Sequence, residues 1–142
     1  MLSITQQNLN FLWNTLVVPF INIISSTCKR KPKLYEDDFL PYCRLGNLEK
    51  VKALTESFDV DLNQGLIESV KQGQLYIAKY LISKGANDLD SSLKLACQNN
   101  NNAMAELLVQ KGANIVVGLR VSKSPNITRM LYRYEQNSEL IN

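Results

Sequence analysis

The chain of 142 residues carries 16 Lys and Arg against 13 Asp and Glu, a net charge of +3, with 45% hydrophobic and 20% charged residues and only four Pro and six Gly. Such values belong to one folded domain or a short stack of repeats and exclude a long disordered linker. There is no histidine, and the three cysteines, Cys28, Cys43 and Cys97, stand far apart with no CxxC pair; the usual zinc spacings are absent, the odd number and wide spacing argue against a disulfide framework, and the cysteines read as reduced, buried residues in a cytosolic environment.

Residues 1–33 form the first segment. No charged side chain occurs before Lys29; Lys29-Arg30-Lys31-Pro32-Lys33 then adds four positive charges, followed by Glu36-Asp37-Asp38. The uncharged run Leu9 to Cys28 has about the length that spans a bilayer, but Asn10, Asn14, Asn22, Ser25, Ser26, Thr27 and Pro19 dilute or interrupt it. Its positive charge follows the apolar stretch, the reverse of a secretory signal. Two readings stand. In one, residues 9–28 span a membrane or lie in its interface, with Trp13, Phe20, Lys29, Arg30, Lys31 and Lys33 as contacts and the rest of the chain on the cytoplasmic side. In the other, Phe11, Leu12, Leu16, Val17, Phe20, Ile21 and Ile24 form an apolar helical stripe that caps the following domain.

Residues 34–142 repeat. Lys84-Gly85-Ala86-Asn87 returns as Lys111-Gly112-Ala113-Asn114, a shift of 111 − 84 = 27. At the same distance Leu93–Cys97 follows Leu66–Val70, Ala105–Val109 follows Ala78–Ile82, and Gly73-Gln74-Leu75 follows Gly46-Asn47-Leu48. The units fall at about 39–65, 66–92 and 93–118, with a degenerate terminal unit over 119–142 in which Ile127, Met130 and Leu131 stand for Ile77, Tyr80 and Leu81. Each unit reads as two helices. The first turns inward small or apolar residues such as Leu93, Ala96 and Cys97, and the second carries Leu75, Ala78, Leu81 and Ile82 at helical spacing. Gly46, Gly73 and, in the third unit, Asn100 suit a left-handed turn between them. Gly85 and Gly112 suit the left-handed position past a helix end, behind Lys84 and Lys111, whose charge favours the helix dipole. Arg129, Arg133, Glu135 and Glu139 give the last unit the polar face of a terminal cap.

"SVKQGQLYIAKYLISKGAND" and "ACQNNNNAMAELLVQKGANI" resemble the ankyrin-repeat pattern, AA-R-N-G-H-L-E-V-V-K-L-L-L-E-A-G-A-D-V, over about residues 38–134. Ser91-Ser92-Leu93-Lys94 stands where that family has TPLH, and Asn102 stands where it has leucine, which predicts looser packing there. The family's period is about 33 residues with a β-hairpin finger; the shift here leaves no room for a full finger between Asn87 and Leu93. Units this short resemble those in proteins of large DNA viruses. The resemblance implies an all-α helix-turn-helix solenoid with reduced or absent hairpin fingers, beside the N-terminal apolar helix.

With no histidine to act as a base, no glycine-rich phosphate loop and no partner to activate Cys43 or Cys97, the residues carry no catalytic site, metal site or cofactor. The second basic group, Arg120, Lys123, Arg129 and Arg133, does not make a large, continuous basic surface and belongs to no recognisable nucleic-acid reading motif, which argues against a nucleic-acid surface. What remains is protein recognition. In ankyrin-like stacks the exposed side of the first helices lines the concave face, which here places Arg44, Glu68, Lys71, Lys94 and Gln98 toward a protein partner, a host protein if the chain is viral. The rival reading is a membrane-associated protein whose solenoid serves as a cytosolic head or spacer.

Overall fold

The computed structural model describes residues 13–19, 33 and 36–139. Beyond a π-helical turn at Trp13–Val17, the described residues form eight α-helices: α1 (Glu36–Leu45), α2 (Leu48–Ser57), α3 (Leu62–Lys71), α4 (Leu75–Ser83), α5 (Leu89–Gln98), α6 (Asn102–Gln110), α7 (Ile115–Val121) and α8 (Pro125–Glu139). They pair as four helix-turn-helix units. The first helices of α3, α5 and α7 begin one turn before Leu66, Leu93 and Leu119, where the sequence alignment of the units opens. Of the expected N-terminal helix, Phe20 and the stretch up to Pro32, with Lys29, Arg30 and Lys31, lie outside the described residues. No helix among the described residues is long and apolar enough to cross a membrane.

Each helix stops because one residue takes a conformation that ends it. Gly85 (φ 111°) and Gly112 (φ 98°) lie in the left-handed region. The Gly85 N–H donates to the Ile82 carbonyl (3.1 Å) and the Ala86 N–H to that of Leu81 (3.0 Å); Gly112 and Ala113 repeat this on Val109 and Leu108. This is a Schellman stop, which satisfies carbonyls that the helix end leaves without partners. First helices use the same device: Gly46 (φ 77°), Gly73 (φ 71°) and Asn100 (φ 54°) occupy its left-handed position. Asn100 is the only such non-glycine among the described residues, as its place in the repeat predicts.

The first helices pack in succession as one row, α1–α3–α5–α7, and the second helices follow behind as α2–α4–α6–α8. The core runs between the rows through Phe39, Cys43, Leu66, Val70, Ile77, Leu81, Leu93, Cys97, Met104, Leu108, Ile127 and Leu131. Cys43 and Cys97 are buried and unpaired thiols, as the sequence predicts; Cys28 lies outside the described residues. Asn102, expected to loosen the third unit, is exposed at the start of α6 and takes no part in this core.

Polar contacts tie successive units in the same register as the repeat. The Asn63 amide oxygen accepts from the backbone N–H of Asn87 (2.8 Å) and Asp88 (3.1 Å), and 27 residues on, Asp90 accepts from the N–H of Asn114 (2.7 Å). In the second row Tyr80 Oη meets Thr55 Oγ1 at 2.7 Å; Tyr134, two periods later, accepts from Gln110 (3.0 Å) and donates to Glu106 (3.2 Å). No strand forms among the described residues. All that stands in place of a finger is an isolated parallel bridge between Lys33 and Asp59.

Gly65, inside α3, tests how closely the first two units fit. A Cβ there would lie 2.6 Å from Phe39 Cε1 and 3.1 Å from Leu81 Cδ1, and both neighbours are core residues. Alanine gains up to about 1 kcal/mol in helix propensity, whereas overpacking against a fixed ring costs about 1–3 kcal/mol. Gly65→Ala is expected to destabilise the fold and lower Tm by a few degrees. Gly118→Ala, whose new methyl meets side-chain tips of Leu131 and Leu93 at 3.0–3.1 Å, is expected to lose less. Thermal denaturation of both variants checks the order.

Candidate functional site

The five positions expected to line a binding face fall on the first-helix row but differ in state. Arg44, Lys71 and Gln98 hold one repeat position, at the last or next-to-last residue of α1, α3 and α5. Lys94 stands where units one and two have Leu40 and Ile67, so a charge enters that column only in the third unit. Lys94 and Gln98 are exposed, and their side chains make no hydrogen bond or ion pair among the described residues.

Glu68 departs from the expected exposed surface. Its repeat position holds Pro41 in α1 and Leu95 in α5, so a carboxylate here sits in an otherwise apolar column. It is 8% exposed, because Arg44 from the preceding unit and Lys71 from the next turn of its own helix close over it. Arg44 Nε lies 2.8 Å from Glu68 Oε2, and Lys71 Nζ lies 2.7 Å from Oε1. The hydrogen bond from Lys71, aided by that from Arg44, holds the Glu68 carboxyl below its ordinary range despite the opposing effect of desolvation. The two cations remain about half exposed, with side chains at 52% and 47%. The cluster therefore clamps unit one to unit two while its positive ends still face water.

Behind it, burial first and the Glu68 charge second push the Cys43 thiol up to about 12. Burial alone raises Cys97. Both thiols stay protonated at neutral pH and lack the thiolate that nucleophilic chemistry needs. No group of three His, Cys, Asp or Glu that could hold a metal occurs among the described residues.

Two exposed apolar residues stand out on the turn edge, and sequence reasoning missed both. Leu45 (77% exposed) and Tyr76 (78%) lie at the turn edge of units one and two. Their repeat positions give the missing signal: Leu45 shares a column with Gln72 and Asn99, and Tyr76 with Glu49 and Ala103, so each is an apolar residue in a column otherwise polar or small. Of the residues expected at a membrane, Lys33 is exposed and bridges Asp59 through its backbone, and Trp13 opens the π-helical turn.

A family model for ankyrin repeats, in three copies, matches residues 42–118, from inside α1 to inside α7. No curated protein and no solved structure matches the chain.

The clamp has a pH signature. Because the Glu68 carboxyl titrates lower folded than unfolded, its contribution is complete above the unfolded value, near 4.5, and is lost as pH falls through the folded value. Glu68→Gln is expected to cost about 1 kcal/mol at pH 7, the loss of charge-assisted hydrogen bonds to two half-exposed cations. The gap between wild type and variant should close as pH falls from 4.5 toward 3, while staying constant between pH 7 and 5. Urea unfolding of both proteins across that range checks it.

Proposed function

The chain belongs to the ankyrin-repeat family, whose repeats generally mediate protein–protein interaction, and from that premise we propose that it is a non-enzymatic binding module taking a protein partner on its first-helix row. The observation that carries this reading is the ladder of Arg44, Lys71 and Gln98 at one repeat position, with Lys94 beside it. The core and the inter-unit contacts are satisfied without Lys94 and Gln98, and their side chains remain available to a partner.

The chemistry of that row narrows the partner. Three of the five positions are cations, and the one carboxylate, Glu68, is already shared between two of them. The row thus presents net positive charge and open donors, which favours a partner with an acidic surface and speeds its encounter at low salt. Without hairpin fingers the usable surface is the helix row and turn edge alone. Hot-spot energy would then concentrate in a few large side chains, and Tyr76 and Leu45 at the turn edge suit that role.

A photo-crosslinking amino acid placed at Lys94 tests the proposal against the same probe at Lys79, an exposed position on the second-helix row. In cells that express the protein, discrete protein adducts are expected from position 94 and not from 79, and Gln98→Glu should reduce them. Adducts absent from both positions, or equal at both, would overturn the reading.

A further inference from the structure

The fourth unit breaks the pattern of the other three in one physical respect. The helices α1, α3 and α5 each run 10 residues, but α7 stops after seven, at Val121. In place of a left-handed residue, Ser122 takes extended backbone (φ −67°, ψ 124°), and the chain leaves for Pro125 and α8. The end of α5 therefore has no neighbouring turn beside it in the next unit. A cleft of about 390 Å³ opens there, lined among others by Cys97, Gln98, Asn100, Arg120, Ser122 and Lys123.

The lining contains two cations and no carboxylate. Arg120 and Lys123 are exposed and make no ion pair among the described residues, unlike Arg44 and Lys71, which share Glu68. The amides of Gln98 and Asn100 make no side-chain hydrogen bond there either. The Ser122 hydroxyl is already engaged, donating to the Ser124 carbonyl (3.3 Å) and accepting from Thr128 (3.1 Å). At the floor, Cys97 is buried and neutral, so no negative charge offsets the two cations. A guanidinium, an ammonium and two side-chain amides line one notch that holds no carboxylate. Such a lining suits an anion, with the guanidinium able to fork onto a carboxylate or phosphoryl group and each amide able to donate through its NH2.

The volume is at the low end of the range of about 300–1,000 Å³ that holds small ligands. It accommodates one or two side chains rather than a folded surface. We propose that this notch between α5 and α7 binds an anionic side chain of a partner's peptide segment, gripped by Arg120 and Lys123 and oriented by the amides of Gln98 and Asn100. The proposal rests on the reading of the chain as a partner-binding module and places one end of the bound segment at the third and fourth units. Lys94 and Gln98, on α5 beside the notch, carry the rest of the contact.

The test uses the full chain and fluorescein-labelled peptides of the form Gly-Ala-X-X-X-Ala-Gly, in which X is Glu, phosphoserine or Gln. Anisotropy titrations are expected to show binding of the anionic peptides and none of the Gln peptide, weakening as NaCl rises. Whichever anionic peptide binds tighter identifies the group as carboxylate or phosphoryl. Arg120→Gln with Lys123→Gln should weaken binding at least about fivefold. Lys79→Gln with Lys111→Gln, which removes the same charge from the second-helix side, should leave it unchanged. Side-chain amide signals of Gln98 and Asn100 should shift on titration of the wild type. Equal losses in the two double variants would assign binding to net charge and overturn the notch, as would unmoved amide signals. Crosslinked partners at position 94 together with either of those results would remove this site alone; their absence would remove the module reading as well.

Discussion

The stack depends on stopping each helix at the same place. A left-handed residue after the last helical turn, glycine in four cases and Asn100 in the fifth, converts a helix that could run on into one of nine or ten residues. At 1.5 Å per residue that is a rod of about 15 Å, and rods of one length can lie side by side with their ends level. Level ends bring the loop of one unit beside the first helix of the unit before it. That is why Asn63 meets the Asn87 and Asp88 amides and Asp90 meets that of Asn114 in matching geometry. The same levelling puts Gln74 over Gly46, where a Cβ would lie 2.6 Å from its amide oxygen; the Gln74 amide donates to the Arg44 carbonyl at 3.0 Å. Gly46 thus answers two demands at once, positive φ in its own turn and clearance for the next unit.

Given that frame, apolar burial does the rest. A two-helix unit has no interior of its own, and its buried face is completed by its neighbours. Phe39 from α1 fills the space that Gly65 leaves in α3, and Leu93 of α5 and Leu131 of α8 both approach Gly118 of α7. The close approaches fall on the first-helix row, where successive helices pack more intimately than those behind. Among the described residues, the one side-chain polar atom that is fully buried without a hydrogen-bond partner is the Ser92 hydroxyl. It occupies the repeat position of Gly65, a place where the column calls for a small residue and not for a hydroxyl.

Much of this was legible from residue types because the repeat wrote each device more than once. The duplicated Lys-Gly-Ala-Asn marked the stops, the column of Gly46, Gly73 and Asn100 marked the turns, and Cys43 and Cys97 fell at small inward places. What escaped was whatever occurs once. Glu68 stands in a column with proline and leucine, and its burial depends on Arg44, 24 residues earlier, a pairing that periodicity does not encode. The short α7 was hidden for a related reason: Ile127 and Leu131 keep the core pattern of the fourth unit intact, while Ser122 to Ser124 change only the backbone path between helices. Core periodicity reports which face is buried, and is silent on where a helix ends unless a glycine or asparagine marks it.

The singular features also locate the chemistry. Repeated positions are constrained by packing, since each must suit the neighbours on both sides, so a residue there is explained once the stack is explained. Arg44 and Lys71 belong partly to that class, because removing either would leave the Glu68 carboxylate with one cation in a place screened from water. Lys94, Gln98, Arg120 and Lys123 do not. Lys94, Arg120 and Lys123 sit where the repeat is irregular or has run out, while Gln98 shares the Arg44 and Lys71 column with no carboxylate beside it. Among the described residues the side chains of these four hold no unit to another, and the three cations meet no internal acceptor along one side of the third and fourth units. The row is therefore electrostatically divided: near α1 and α3 its charge is largely spent on holding units together, and near α5 and α7 it faces outward, where a partner can meet it.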